Sequence, residues 1–313
     1  MNSHVLICSH NGENFIGEQI ESILRQEARI DRVHVYDFAS KDRTRDIVSA
    51  LATAHPQVSL TAFPQAPGAS RSFFLAFNDL AAKVDAGDIV FICDQDDVWL
   101  PGKAGTVLQA FDSQAPGPKN ALFFHDVMVV DSNLAVLRKT YYTGNPFEIP
   151  RDLDPERILL ANPIIGHTMA ATGALLQNFC RDIRPAGFLM HDWALALYAS
   201  REGSIHFVDQ PLSLYRQHDA NVLGAYGKRP LSAVFSRTLS FATGLITQSQ
   251  SLASQLLTLR SESRSVSDRR VLAARNSRFA TAWALAVMAL RTGPTLKRKS
   301  LFMFLLISAI GRK

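Results

Sequence analysis

Three carboxylates, Asp94, Asp96 and Asp97, close an apolar run in Asp88-Ile-Val-Phe-Ile-Cys-Asp-Gln-Asp-Asp-Val-Trp-Leu-Pro101. Acids gathered at the end of a buried strand repel one another and resist desolvation. A hard divalent cation that prefers oxygen ligands relieves both penalties. Open α/β sheets take their ligands at the carboxyl ends of strands, so the pattern points to a metal-assisted site. Two plainer uses compete with it: Asp-x-Asp also occurs in solvated turns, and Asp97 before Val98 and Trp99 is placed to cap a helix. A calcium loop fits poorly, because Val98 stands where another oxygen ligand is needed and Trp99 where a turn glycine is needed.

The elements that must position these acids alternate between strand and helix. Strands are expected at Val5 to Ser9, Val33 to Asp37, Val58 to Phe63 and Ile89 to Cys93, with helices around Phe15 to Leu24, from Thr44 and from Ser70. That alternation predicts a doubly wound α/β sheet. Asn11-Gly12 reads as a turn, Ser40 or Asp42 as a helix cap, and Pro101 as a first-turn residue. The sheet resumes at Ala121 to Val130, whose His125 and Asp126 are given no chemistry. Between residues 143 and 173 the alternation lapses into Pro, Gly and Asn, which suits a pocket lining.

The 313 residues are 47% hydrophobic, enough for one α/β domain with an appendage. Cys8, Cys93 and Cys180 have no C-x-x-C spacing, so reduced thiols in a cytoplasmic protein are expected rather than disulfides or zinc. Neither a basic leader nor a long apolar segment opens the chain, and no export is expected. Charge divides it: residues 228–313 hold 15 Lys and Arg against 2 acids, and residues 1–227 hold 18 against 26. Two domains are therefore expected, 1–227 and 228–313. In the second, Phe279 to Leu290 and Leu301 to Ile310 are apolar runs flanked by Arg278, Arg291 and Lys297-Arg298-Lys299. Both are too short to span a bilayer, which takes about 20 helical residues. They suit a helix lying on an anionic membrane surface, with internal packing or a homodimer contact as the alternative. Nucleic acid is not an expected partner, since the tail has few aromatics to stack on bases.

The order of motifs resembles the family-2 glycosyltransferases of GT-A fold, over roughly residues 3–225. Ile7-Cys-Ser-His-Asn-Gly-Glu13 and Glu18-Gln-Ile-Glu-Ser-Ile-Leu-Arg-Gln26 are similar to the family's first strand and helix. Asp94-Gln-Asp-Asp-Val-Trp-Leu-Pro101 is similar to its metal motif. His191-Asp-Trp193 and Leu214-Tyr-Arg-Gln-His-Asp-Ala-Asn221 are similar to two later blocks of a bacterial rhamnosyltransferase-like branch.

The resemblance implies inverting transfer of a sugar, such as rhamnose, from a nucleotide diphosphate to a hydroxyl of a lipid-linked or polysaccharide acceptor, on the cytoplasmic face of the cell membrane. Asp94 and Asp96 would hold Mg2+ or Mn2+ against the leaving diphosphate. Asp97 would orient a ligand or bind the sugar, and Arg71 and Arg216 would approach the phosphates, with His218 as a metal contact. Ser9, His10, Asn11 and Asp37 would line the nucleotide. Asp192 is the carboxylate matched to the general base, and it is equally suited to capping a helix. Two positions depart from the pattern: Phe38 stands where the family has a second aspartate, and His10 where it has a tyrosine. A nucleotidyltransferase is the alternative enzyme class, although Ser9 to Glu13 is not a glycine-rich phosphate loop. A catalytically silent scaffold that binds membrane or partner is the third reading.

Overall fold

The computed structural model describes residues 1–117, 119–144, 149, 151–218, 231–252, 254–255 and 266–291. Asp219 to Asn221, Lys297 to Lys299 and Leu301 to Ile310 lie outside the described residues. Three parallel strands begin the sheet: β1 (Ser3–Ser9), β2 (Arg32–Phe38) and β3 (Val58–Phe63), joined by α1 (Ile16–Leu24) and α2 (Thr44–Ala54). Next, α3 (Ala69–Ala81) crosses to β4 (Ile89–Cys93), which pairs in parallel with the other edge of β1. The acid cluster then leads into a two-residue strand, β5 (Val98–Trp99), and α4 (Lys103–Gln114).

The remaining strands are β6 (Ala121–Val130), β7 (Val136–Arg138), β8 (Ala170–Thr172) and β9 (Ser204–Arg216). Along the sheet the order is β3-β2-β1-β4-β8-β6-β9-β5, with β7 on β6. Strand β8 runs antiparallel to both β4 and β6, so the sheet is mixed. The order reverses between β1 and β4, and the crevice outside their carboxyl ends is where such a sheet binds ligands. Ser9 to Asn11 leave β1 there, and Asp94 to Asp97 leave β4.

Alternation along β1 assigns its side chains to two layers. Leu6 joins a core with α3, α5 (Pro155–Leu160), α6 (Gly173–Asp182) and α7 (His191–Glu202); Val5 and Ile7 join another with α1, α2 and α4. Helices α8 (Leu231–Leu252), α9 (Val266–Ala274) and α10 (Arg278–Arg291) extend the first core, contributing Ala242, Leu245, Ile246, Val271, Leu285 and Ala289. The change of composition near residue 227 is therefore not a break in packing. The three cysteines are free thiols. No described helix is long and apolar enough to cross a membrane.

Three local expectations are corrected. Asp97 caps no helix: Val98 and Trp99 pair instead with Leu214 and Ser213 of β9, and α4 starts two residues beyond Pro101. Asp192 is not the cap of α7, because that helix already starts at His191 with Met190 as its cap residue. Ser40 does not cap α2; its hydroxyl binds Asp37, while Asp42 accepts from the amides of Glu13 and Thr44 at 3.1 Å each.

The start of α6 is packed against the turn that feeds β4. Gly173 donates its amide to the Asp88 carbonyl at 2.7 Å, and a Cβ there would fall 2.0 Å from the Asp85 carbonyl oxygen. Gly173→Ala is expected to cost about 1–3 kcal/mol, read as a lower midpoint in urea unfolding.

Candidate active site

Asp94, Asp97 and His167 offer ligand atoms that all lie within 4.8 Å of one another. Asp94 hangs at the mouth of the crevice, 40% exposed, whereas Asp97 and His167 are buried. His167 comes from a short 3-10 turn, Gly166–Thr168. Its Nδ1 is 2.9 Å from Asp97 Oδ2 and 3.7 Å from Asp94 Oδ2. Despite that proximity, neither His167 nitrogen nor Asp97 Oδ2 has an aligned hydrogen-bond partner. Buried polar atoms left this way are costly, and two carboxylates with one imidazole form a donor set that a divalent cation satisfies. Burial opposes charge on His167, but the Asp97 and Asp94 carboxylates prevail and raise its pKa to about 9. In the absence of a metal, the imidazolium is itself the counter-charge; coordination requires it to give up its proton.

Asp96, expected as the second metal ligand, faces elsewhere: its Oδ2 is 2.9 Å from His218 Nε2. That imidazole stacks on Phe15 with ring centroids 4.7 Å apart. Arg216 is buried between these groups. Its amide donates to Asp97 Oδ1 at 3.1 Å, its Nε to the Asp96 carbonyl at 2.8 Å and its Nη1 to the Ser132 carbonyl at 2.8 Å. A further nitrogen pairs with Glu18. So disposed, the arginine braces the acid loop against β9 and α1. Beneath the loop, Lys103 is fully buried, its Nζ 4.0 Å from the centre of the Trp99 ring and donating to the His167 carbonyl at 3.1 Å. Burial draws its pKa down to about 8 against the pull of Cys93, Asp97 and Asp94.

The same turn reaches Asp192. A Cβ on Gly166 would meet His191 Nε2 at 3.2 Å and Asp192 Oδ2 at 3.6 Å, so the α7 N-terminus lies close against the His167 turn and a side chain there would make the His191 ring give way. Asp192 Oδ1 accepts from the Trp193 amide at 2.6 Å. Desolvation raises the Asp192 carboxyl to about 7, repulsion from Asp94 adds to it, and the Trp193 amide opposes it. His191, stacked on Phe73 with centroids 3.7 Å apart, is held neutral by burial, its pKa down to about 3. The corner formed by Asp94, Asp97 and His167 is thus joined to Asp192 through Gly166 and His167.

Other expected residues line the crevice differently. Asp37 is fully buried and occupied by Ser9, Ser40 and Arg45. Phe38 turns inward to stack on Phe63, centroids 4.6 Å apart, which accounts for an apolar side chain at that position. His10 is exposed; Nδ1 lies 2.7 Å from the Phe38 carbonyl, and its amide donates to Gln95 at 2.9 Å. Asn11 has a left-handed backbone, φ 49°, and accepts from the Lys41 amide at 2.9 Å. Arg71 is exposed on the first turn of α3, where it lines a cavity of about 580 Å3 with Ser70, Phe74, Phe188 and Met190. His125 and Asp126 are buried; the Asp126 carboxylate accepts amides from Val127, Tyr141 and Tyr142, a structural use.

Sequence reasoning missed His167, Gly166 and Lys103. Lys103 stands two residues beyond the acid motif, nine after Asp94, and its meaning was hidden by helix periodicity. Only the lapse into irregular sequence over 143–173 hinted at the other two.

Residues 4–153 match the family model Glycosyl transferase family 2. The chain carries a glycosyl transferase family 2 domain. This glycosyltransferase is 25% identical over 234 residues to the dTDP-rhamnosyl transferase RfbG of Shigella flexneri, covering 70% of this chain and 74% of the relative. Its GT-A fold is shared with solved structures. TarS 1-349 of S. aureus in complex with UDP-GlcNAc aligns with a TM-score of 0.60 at 13% identity, over 99% of this chain and 89% of the other. The mannosyltransferase PcManGT from Pyrobaculum calidifontis in complex with GDP-Man and Mn2+ gives 0.54 at 15% identity, over 99% and 86%.

Because the folded pKa of His167 lies above its ordinary 6.5, its charge contributes stability that is complete below about pH 6.5 and is lost as pH rises through about 9. With metal chelated, the stability difference between the glycosyltransferase and His167→Gln should shrink by on the order of 3 kcal/mol between pH 6 and pH 9.5, measured by denaturant titration.

Proposed function

We propose that this glycosyltransferase moves a sugar, rhamnose or a close relative, from a nucleoside diphosphate to a hydroxyl of a lipid-linked or polysaccharide glycan precursor, with inversion at the anomeric carbon. The rhamnosyl reading is supported by the likeness to RfbG. The observation that carries the chemistry is the contact of one turn with both halves of the site: Gly166 against Asp192, and His167 against Asp94 and Asp97.

Asp94, Asp97 and His167 are the residues that would hold Mg2+ or Mn2+, with Asp96 and His218 beside them. When bound, the cation supplies Lewis-acid stabilisation of the diphosphate that departs. Asp192 takes the acceptor proton on its carboxylate, whose second oxygen is not used by the Trp193 amide. Desolvation tunes that carboxyl to the working range of a general base. Phe74, Phe188 and Met190 give the cavity beside the α7 N-terminus an apolar wall, where an acceptor would approach. Arg216 keeps the acid loop in place, and Ser9, His10, Asn11 and Asp37 shape the nucleotide side. The basic region after residue 227 attaches the enzyme peripherally to the inner face of a membrane.

Two experiments test this. In a thermal-shift panel of sugar nucleotides, stabilisation by a dTDP-sugar or another single donor should require Mn2+ or Mg2+ and be abolished by Asp94→Ala; stabilisation equal with and without metal rejects the cation. For the base, kcat/KM should rise with pH through about 7 as Asp192 deprotonates, and Asp192→Asn should keep the thermal shift while lowering kcat by roughly 100-fold or more. Retained turnover in that variant would remove Asp192 from the role.

A further inference from the structure

Helix α10 has two unlike faces. Ala282, Leu285, Ala286 and Ala289 are fully buried in the core shared with α7, while Phe279 and Trp283, one turn apart, are 54% and 52% exposed. Among the described residues no other aromatic side chain of Phe or Trp type is exposed to half its surface; Phe241, at 37%, already stacks on Trp193. The neighbouring helix α9 carries exposed Arg269 and Arg270, and residues 266–291 hold five arginines against the single acid Asp268.

We infer that the α10 face bearing Phe279 and Trp283, with exposed Arg269 and Arg270 on the neighbouring helix α9, docks on an anionic lipid bilayer. The inference rests on the reading that the acceptor is carried by lipid, and it assigns the surface that meets that lipid. An indole and a phenyl ring one turn apart insert at the headgroup boundary, where an apolar body beside a polar edge is favoured. Exposed arginines on the neighbouring helix match the negative potential of such a surface and keep their charges among headgroups. A second copy of the chain would bring the same positive field against itself. The charge of residues 228–313, 15 basic against 2 acidic, favours lipid over that partner. The docked face is not remote from the catalytic half. Helix α8 holds the segment before α7 through Gln248 to the Leu189 amide at 3.1 Å and Ser251 to the Ala186 carbonyl at 2.5 Å.

The chain supplies its own probe. Of its three tryptophans, Trp99 and Trp193 are buried at 3% and 6% exposure and only Trp283 is open. With the full-length protein, vesicles containing phosphatidylglycerol with brominated acyl chains should quench the Trp283 emission, and high salt should reverse much of the quenching. Neutral phosphatidylcholine vesicles should not quench it. The variant Phe279→Ser with Trp283→Ser should sediment with phosphatidylglycerol vesicles at least about tenfold more weakly. Its metal-dependent thermal shift with nucleotides should be unchanged, which separates a failure of docking from a failure of the sugar-transfer reading. Undiminished sedimentation of the variant overturns the inference. So does Trp283 emission already blue-shifted and shielded without lipid in a dimer or in the monomer, with the variant lowering Tm, since the face would then be covered by protein. If the double variant does not fold, quenching of the unaltered protein by the two vesicle types decides between the same outcomes.

Discussion

Everything at the crevice answers to one electrostatic constraint: three carboxylates of a four-residue stretch are crowded against the end of a fully buried strand. Their mutual repulsion has to be met by positive charge at every stage, or the loop would open to solvent. The protein provides that charge from several elements. His167 arrives from the turn before β8, Lys103 from α4 below and Arg216 from β9 itself, and His218 from beyond β9 adds a hydrogen-bonding contact to Asp96. Much of the topology can be read as the means of bringing those four groups to one corner. The antiparallel β8 sets the turn beside β4, and the pairing of β5 with β9 brings Arg216 behind the acids.

Such a balance suits a site that binds and releases a charged ligand. A cluster neutralised only by a resident ion would rearrange when the ion left. Here an imidazolium in contact with Asp97 can stand in for part of its charge, and the buried ammonium of Lys103 fixes the carbonyl of the same residue. The turn that carries the imidazole also presses Gly166 against Asp192. The two sides of the site are therefore linked through the adjacent residues Gly166 and His167, without a long relay of side chains.

Local sequence defined much of the scaffold. Val58–Phe63, Ile89–Cys93 and Ala121–Val130 appear as strands over the ranges expected, since β-branched and aromatic runs bounded by turn residues specify a strand without distant help. β8 is only three residues long and was not foreseen; its existence depends on a place between β4 and β6 that no local pattern encodes. The acid motif and Asp192 were legible because their residue types are unusual beside apolar runs. His167 was not, as a single histidine in an irregular segment acquires meaning only when the sheet carries it to Asp97. Asp37, which the resemblance sets on the nucleotide side, is surrounded in the fold by Ser9, Ser40 and Arg45, partners that no local pattern predicts.

The grip of α8 on the segment before α7 bears on how such enzymes diversify. Leu189 and Ala186 are fastened to Gln248 and Ser251, so the basic helical region is part of the mould that shapes the approach to Asp192. It could not be traded between relatives as a ready-made cassette. An exchange of that region would, by the same stroke, reshape the crevice beside Asp192.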